Sequence, residues 1–498
     1  MDSRPARDLG ALIGATAVTR CLFRSHRLYD IDSVNFALAL QRFDPQAHQP
    51  HPPGYFLYVY LGRLANWILQ DANTALVAIS ILASCGAVAM IYVLACTWFG
   101  RLAARFAGLI FFFSPLAWFH GTVALTYIVE AFFSALLANL CWRAAGGSKA
   151  IVLSAAVVLG VAAGLRPSSL LILGPLLVFS LRRLPRRTAL MGLAALSLTL
   201  LAWLIPMLRQ SGGLAGYLGP LWSLWRLVPS RATVFNSSPL TSLARFCTIV
   251  GIYGLCFGTA SLLTFARPHS SVDRRITQFT WVWIAPSLVL FTFVFLKFVN
   301  SGYLLVVMPA ACVWLGYGAA NWYTGSAMAK SAKFTLLGLA AAANTVIFLY
   351  APLYCSYRET SQFEAELNRI LITLPQVAAP QDTLIVGFDS HFLGYRHAGY
   401  YLPDYLVVQF PEVPLASGTG VFWMQHRDTR VTAKIPMRPY KYFILFPLPS
   451  SEREYHGYLD GVRARLPPGE LRVVARGGFQ YTVGPAADLG LLFPSAAR

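Results

Sequence analysis

The residues able to do chemistry crowd into one short segment. Asp30-Ile31-Asp32-Ser33 opens it, Phe43-Asp44 follows, and His48-Gln49-Pro50-His51-Pro52-Pro53-Gly54-Tyr55 closes it. A carboxylate can act as a general base, taking a proton from a hydroxyl nucleophile as it attacks. An Asp or Ser at a helix start can equally do no more than accept hydrogen bonds from free backbone amides. Asp30 to Ser33, ahead of Phe36, Leu38 and Leu40, reads as such a start. The prolines around His51 fix the backbone, and Gly54 permits a sharp turn into Tyr55-Phe56-Leu57-Tyr58. A loop this stiff suits a placed imidazole, and it suits a plain connector as well. His48 and His51 with the aspartates have metal-ligating atoms, but their spacing is not diagnostic of a metal site.

Two further ionisable residues stand out because their surroundings are apolar. Only 8 of the 21 acidic residues precede Cys355, and an ionisable group near a bilayer core is costly and usually has a role. Asp2, Asp8 and Asp273 fall in predicted cytoplasmic loops or at their edges, and Asp71 in a turn between helices. Glu130 lies inside an apolar segment, as a site residue or as a buried partner for an Arg or Tyr. Arg166, in Gly164-Leu165-Arg166-Pro167-Ser168, is the basic residue of a short outer loop. Its guanidinium fork suits a phosphate or pyrophosphate. Pairing with Glu130, or capping a helix carboxy terminus, suits it equally.

The elements that must carry these residues are predicted to be membrane helices. The 498 residues are 56% hydrophobic and 12% charged, with mean hydropathy +0.55, whereas soluble domains carry about 25% charged residues. Apolar stretches fill residues 1–354, and spans are expected near 8–24, 74–98, 102–119, 121–142, 150–165, 168–181, 188–208, 242–266, 276–298, 301–320 and 334–351. The stretch 55–70, with Arg63 and Asn66, is placed at the membrane interface or against the helix bundle. An amino-terminal signal peptide is not expected, because Ala11 to Phe23 runs directly into Arg24-Ser25-His26-Arg27.

Charge fixes the predicted orientation. With the amino terminus inside, Arg4, Arg7, Arg101, Arg105, Arg143, Lys149, Arg182, Arg183, Arg186, Arg187, Arg267, Arg274, Arg275, Lys330 and Lys333 all face the cytoplasm. The short loops near 120, 166 and 299 then face outward with only Arg166, and Lys297 just inside its span. The same orientation puts the loop 25–73, the loop 209–241 and residues 355–498 outside. From Cys355 onward, 14 basic residues face 13 acidic ones, so all but one unit of the net charge of +19 belongs to the membrane part. Basic residues in gaps between spans do not make a nucleic-acid surface. Eight scattered cysteines, without a CxxC pair, give no disulfide framework or structural zinc site. Residues 355–498 read as a separate extracytoplasmic α/β domain. Strands are expected at Thr383–Gly387, Tyr405–Phe410, Tyr442–Phe446 and Leu471–Ala475, with a helix between the first two.

The first loop resembles a family: the multi-span glycosyltransferases of the GT-C fold, which use polyprenyl-phosphate sugars. Asp32-Ser33-Val34-Asn35-Phe36-Ala37-Leu38-Ala39, Phe43-Asp44 and the His48 to Tyr55 run are similar to bacterial members and to a eukaryotic O-mannosyltransferase branch. Protein O-mannosyltransferases and aminoarabinose transferases are more distant kin. Weaker matches are Leu125-Thr126-Tyr127 with Glu130, Gly164 to Pro167, and Ser301-Gly302-Tyr303-Leu304-Leu305 ahead of Pro309. The resemblance implies an all-helical membrane domain that transfers sugar with inversion at the outer face, with Asp32 as base and Asp30 as its acidic neighbour. It implies Asp44, His48, His51, Tyr55, Arg63, Tyr127, Glu130, Arg166 and Tyr303 around the donor and acceptor. The acceptor is a glycan, lipid or protein. Because the donor phosphate is its own leaving group, Arg166 or Arg63 could balance its charge without a metal ion. A lipid or polysaccharide flippase would show repeated halves with broken spans, and an O-antigen polymerase or ligase a large outer loop late in the chain. Neither pattern is present.

Overall fold

The computed structural model describes residues 4–227, 238–264, 272–294, 301–410, 413–415, 418–432, 434–436, 440–446, 460, 464, 472–476 and 479–484. Arg267, Lys297 and Leu471 lie outside the described residues. A helix occupies each predicted span: α1 (Arg4–Leu22), α4 (Ala72–Phe99), α5 (Arg101–Phe113) with α6 (Pro115–His120), α7 (Tyr127–Ala144), α8 (Lys149–Leu165), α9 (Ser168–Leu181), α10 (Arg186–Gln210), α12 (Pro239–Thr264), α13 (Arg274–Leu288), α14 (Met308–Gly325) and α15 (Lys330–Tyr350). Among the described residues three of these, α4, α10 and α15, are long and apolar enough to cross a membrane, and α8 and α9 are shorter apolar helices. Four more helices are α2 (Ile31–Gln41), α3 (Phe56–Leu69), α11 (Gly213–Leu227) and α16 (Tyr357–Val377).

The chain forms two compact units. One contains residues 1–25, 55–207 and 226–359, and the other 26–54, 208–225 and 360–498. The first is a helix bundle. Its 28-residue α4 carries no charge and is capped by Asp71, whose carboxylate accepts from the Thr74 N–H at 2.8 Å. At 1.5 Å per residue it exceeds the roughly 30 Å hydrocarbon core. Helices α5 and α14 approach through small residues: a Cβ on Gly316 would lie 2.6 Å from the Ala103 carbonyl and from the Ala107 nitrogen. Close backbone approach of this kind is how membrane helices associate where apolar burial gives no net drive. Helix α7 is tied in by polar contacts. Ser134 donates to the Val306 carbonyl at 2.8 Å and accepts from the buried Trp283 indole at 2.8 Å. Asp8 binds the Arg101 and Arg105 guanidinium groups at 2.6 and 2.7 Å, joining α1 to α5. Helix α3 buries Phe56, Tyr58 and Val59 and exposes Leu64, Trp67 and Ile68, the two-faced pattern expected for 55–70.

The second unit is built on a mixed sheet with strands β1 (Thr383–Phe388), β2 (Leu406–Phe410), β3 (Val413–Leu415), β4 (Gly418–Gln425), β5 (Asp428–Thr432), β6 (Tyr442–Phe446), β7 (Arg472–Arg476) and β8 (Phe479–Gly484). The order is β3-β4-β2-β1-β6-β8-β7, with β5 on β4. Strand β1 lies between two parallel neighbours, Leu384 opposite Leu406 and Phe443. Helix α17 (Tyr395–Tyr401) forms the crossover from β1 to β2. All of β1 and β2 is buried, as central parallel strands covered on both faces must be. Val386, Phe388, Val408, Phe443 and Leu445 make the core. The short strands β3, β4, β5 and β8 have no counterpart in the sequence expectations, and the expected Leu471–Ala475 strand is β7.

Burial of His397, fully enclosed under the sheet, pushes its pKa down to about 4. A histidine whose folded pKa is depressed stabilises the fold above its unfolded pKa and loses that contribution as pH falls. Between pH 6.5 and 5, above most carboxylate titration, this group should remove about 1.4 kcal/mol of stability per pH unit. Thermal melts of the purified chain across that range should show the decline, and His397→Phe should make it shallower by that amount, leaving the contribution of His48. An equally steep decline in the variant would contradict the assignment.

Candidate functional site

In the second unit, Asp30 is the N-cap of α2, in extended backbone (φ −103°, ψ 156°), and its Oδ1 accepts from the Asp32 N–H at 2.8 Å. That bond fixes the first helical turn and with it the Asp32 side chain, at a helix end that favours negative charge. Asp32 Oδ1 lies 3.1 Å from His51 Nδ1, with the two side chains 20% and 17% exposed. The Phe36 ring, one turn along α2, sits 5.8 Å from the imidazole. The His51 turn is closed by the Gly54 N–H donating to the His51 carbonyl at 3.1 Å. Gly54 has φ +107°, which favours glycine, and Tyr55 follows at φ +43°. The structure thus brings Asp30, Asp32 and His51 together across a 20-residue loop.

Asp44 and His48 are occupied differently. Asp44 Oδ1 accepts from the Gln46 and Ala47 amides at 3.1 and 3.2 Å, and Oδ2 meets Arg42 at 2.9 Å. Arg42 also reaches Asp428 at 2.7 Å. His48 packs its ring 5.1 Å from Phe422, and burial, with help from the Arg396 charge, pushes its pKa down to about 3. Two residues of residues 355–498 that sequence reading passed over also hold this loop. Arg396, fully buried, donates to the Ala47 carbonyl at 2.7 Å, to Thr429 Oγ1 at 3.0 Å and to the Tyr395 hydroxyl at 2.8 Å. His391 accepts from the Ile31 N–H through its carbonyl at 2.8 Å, and its Nδ1 lies 3.8 Å from Asp30 Oδ2. The one available signal for His391 was its place just after a central parallel strand, where α/β sheets gather functional loops.

The first unit holds a second cluster. Arg166 Nε lies 2.9 Å from Glu130 Oε2, with side chains 5% and 0% exposed, at ion-pair distance though not aligned as a hydrogen bond. Arg166 Nη1 donates to Thr126 Oγ1 at 2.7 Å, and Glu130 Oε1 accepts from Ser168 and Ser169 at 3.2 and 2.9 Å. The Arg166 N–H closes the last turn of α8 on the Ala162 carbonyl at 2.8 Å. Of the alternatives open in the sequence, the side chain therefore pairs with Glu130 and the backbone does the capping. Tyr127, Tyr303 and Tyr55 place their rings 4.3, 5.2 and 6.0 Å from the guanidinium carbon. Tyr303 stacks on Phe291 at 4.7 Å and meets Tyr127 edge-on at 5.4 Å. Gly302 lets these rings close up, since a Cβ there would collide with the Tyr127 ring. Arg63 takes its place on α3 with its guanidinium 4.8 Å from the Tyr60 ring.

His120 was not singled out from sequence, because a lone histidine at a short helix end carries no spacing signal. It is 3% exposed, with its ring 5.1 Å from Tyr127. Neither imidazole nitrogen has a hydrogen-bond partner among the described residues. An unsatisfied buried polar atom costs about 1–3 kcal/mol.

Residues 46–188, a stretch that spans His51, His120, Glu130 and Arg166, match the family model for the Protein O-mannosyl-transferase TMEM260 N-terminal domain. No curated protein sequence matches the chain. Among solved structures, ArnT from Cupriavidus metallidurans bound to undecaprenyl phosphate is 13% identical, with 99% of each chain covered and a TM-score of 0.60. Its apo form is also 13% identical, with 98% of each chain covered and a TM-score of 0.59. The Archaeoglobus fulgidus oligosaccharyltransferase tethered with an acceptor peptide is 12% identical over 100% of this chain and 77% of that one, with a TM-score of 0.51. The likeness to ArnT runs through helices and carboxy-terminal sheet alike, so the fold is the GT-C fold to which the first loop pointed.

The Glu130–Arg166 pair gives a test of the first unit. Removing one member of a buried pair leaves a bare charge and costs about 3–5 kcal/mol, whereas replacing both by apolar groups can be nearly neutral. Glu130→Leu alone should lower the detergent-solubilised melting temperature sharply, and Glu130→Leu with Arg166→Met should recover most of the loss. Simple additivity of the two single losses would mean that the pair is not coupled.

Proposed function

We propose that this chain is a membrane glycosyltransferase that moves a sugar, with inversion, from a polyprenyl-phosphate carrier to a hydroxyl of a glycan, lipid or protein. Asp32 is the general base. The reading is carried by the Asp32–His51 pair, 3.1 Å apart at the start of α2 in a loop that is rigid at both ends. Its support is the GT-C fold, the O-mannosyl-transferase match over residues 46–188 and the undecaprenyl phosphate bound by ArnT.

The residues suggest the steps. The acceptor oxygen attacks the anomeric carbon as its proton passes to the Asp32 carboxylate, and the bond between sugar and phosphate oxygen breaks with its electron pair leaving on the polyprenyl phosphate. His51 Nδ1 faces the same carboxylate and orients it. Asp30 acts through the backbone amide that it holds at Asp32. Arg166, with Tyr127, Tyr303 and Tyr55 around it, is assigned to the donor phosphate. Glu130 balances its charge while the site is empty, and Arg63, Asp44 and His48 are assigned to the margins of donor and acceptor binding. Eleven spans, an amino terminus in the cytoplasm and a multi-pass place in the inner membrane complete the proposal, with the first loop and residues 355–498 on the outer face, where the basic-residue bias puts them.

Asp32→Asn keeps the shape of the side chain and its place at the helix start while removing the base. The variant should insert and fold like the native chain but lose sugar transfer by at least about a thousandfold, within the range attributed to general bases, when assayed with lipid-linked donor in membranes. Near-native turnover would sink the assignment of Asp32.

A further inference from the structure

We infer that His120 is a ligand of the donor phosphate: a neutral imidazole that gives one N–H to a phosphate oxygen beside Arg166. The inference rests on the glycosyl-transfer reading above and adds a residue to it. His120 ends the six-residue helix α6, which Pro115 opens and the Gly121 N–H closes on the Ala117 carbonyl at 3.1 Å. That short helix delivers the ring to the edge of Tyr127, 5.1 Å between centroids. A Cβ on Gly302 would come within 2.8 Å of His120 Cε1, so the ring is confined on that side as well.

Buried polar atoms in proteins nearly always have partners, and here both nitrogens of an almost fully enclosed ring have none among the described residues. The surroundings say what kind of partner is missing. The cluster contains a guanidinium and three phenols, and its one carboxylate, Glu130, already accepts from Ser168 and Ser169 and faces Arg166. The guanidinium has donors and no acceptor, and a neutral imidazole brings one N–H donor beside its one acceptor nitrogen. The group that complements such a set is an anion rich in acceptor oxygens. In glycosyl transfer the phosphate gains charge as the sugar leaves. An N–H aimed at that oxygen strengthens as the bond breaks, so it favours the transition state over the bound donor. His120 keeps its proton throughout and needs no further reactant.

Binding of undecaprenyl phosphate to the full chain in nanodiscs, read by isothermal titration, provides the test. His120→Phe keeps the ring volume and removes both nitrogens. It should weaken binding at least about tenfold, the loss expected for a hydrogen bond to a charged group. Its melting temperature should hold or rise, because an unsatisfied polar group has been replaced. His120→Gln, which retains an N–H donor, should stay within about threefold of native affinity on the same grounds. Inorganic phosphate, titrated in parallel, should bind far more weakly than the lipid. Equal affinity for the two would make this a free-phosphate site and overturn the lipid assignment. If His120→Phe binds like the native chain and melts lower, the histidine is structural and the inference fails. If the native chain binds no polyprenyl phosphate at all, the glycosyl-transfer reading falls first.

Discussion

The ion pair between Glu130 and Arg166 is the constraint on which the helix bundle's polar interior depends. An isolated charge among apolar helices is strongly unfavourable, and pairing with full hydrogen bonding is the way such charges persist. The pair recruits its surroundings accordingly. Thr126 takes one arm of the guanidinium, Ser168 and Ser169 take one carboxylate oxygen, and three tyrosine rings shield the rest. These partners come from the start of α3, the start of α7, the turn between α8 and α9, and the segment after residue 300. One charge pair therefore ties together segments far apart in the chain. The pair also balances charge, so no large unpaired positive potential is left among the apolar helices.

The second unit solves a different problem, which is holding a long irregular loop still. Residues 42–54 contain few apolar side chains to bury, so order comes from saturating backbone groups. Asp44 satisfies two amides of its own turn, Arg396 reaches the Ala47 carbonyl from helix α17, and the His391 carbonyl accepts the Ile31 amide. Arg396 is an unusual choice, a fully buried guanidinium with three neutral acceptors. Five donors in a fixed fork can join β5, α17 and the loop at once, which a hydrocarbon of equal size could not do.

How much of this could be read in advance follows from the range of the interactions. Helices appear at each predicted span because burial in lipid imposes one composition over a full turn-by-turn length, and that signal is local. The Asp30-Ile31-Asp32 start and the His51 turn were legible for the same reason, their geometry being set within a few residues. Arg166 was legible only as a choice among partners, since Glu130 lies 36 residues earlier in the chain. His120 was invisible. Its importance lies in what is missing around it, and a missing partner has no spacing. His391 and Arg396 were passed over because residues 355–498 were read as a self-contained domain. The compact unit to which they belong also includes residues 26–54, more than 330 positions away. The short antiparallel strands escaped because three to eight residues of mixed composition do not rise above turn and loop patterns.

The same contrast between local and long-range order bears on which carboxylate is the base. Asp30 and Asp32 are two residues apart on one helix start, and composition alone does not separate them. Geometry does. An oxygen of Asp30 is committed to the Asp32 amide, which is the capping role that a helix start requires, and its other oxygen faces His391 at 3.8 Å. Asp32 is the second residue of the helix, inside its first turn. Its carboxylate is carried beside His51 by a helix that is buried from Ser33 through Leu40. Capping and base chemistry were compatible within one residue as far as sequence could say. In the folded chain Asp30 is the capping residue, and its bond to the Asp32 amide keeps the proposed base in register.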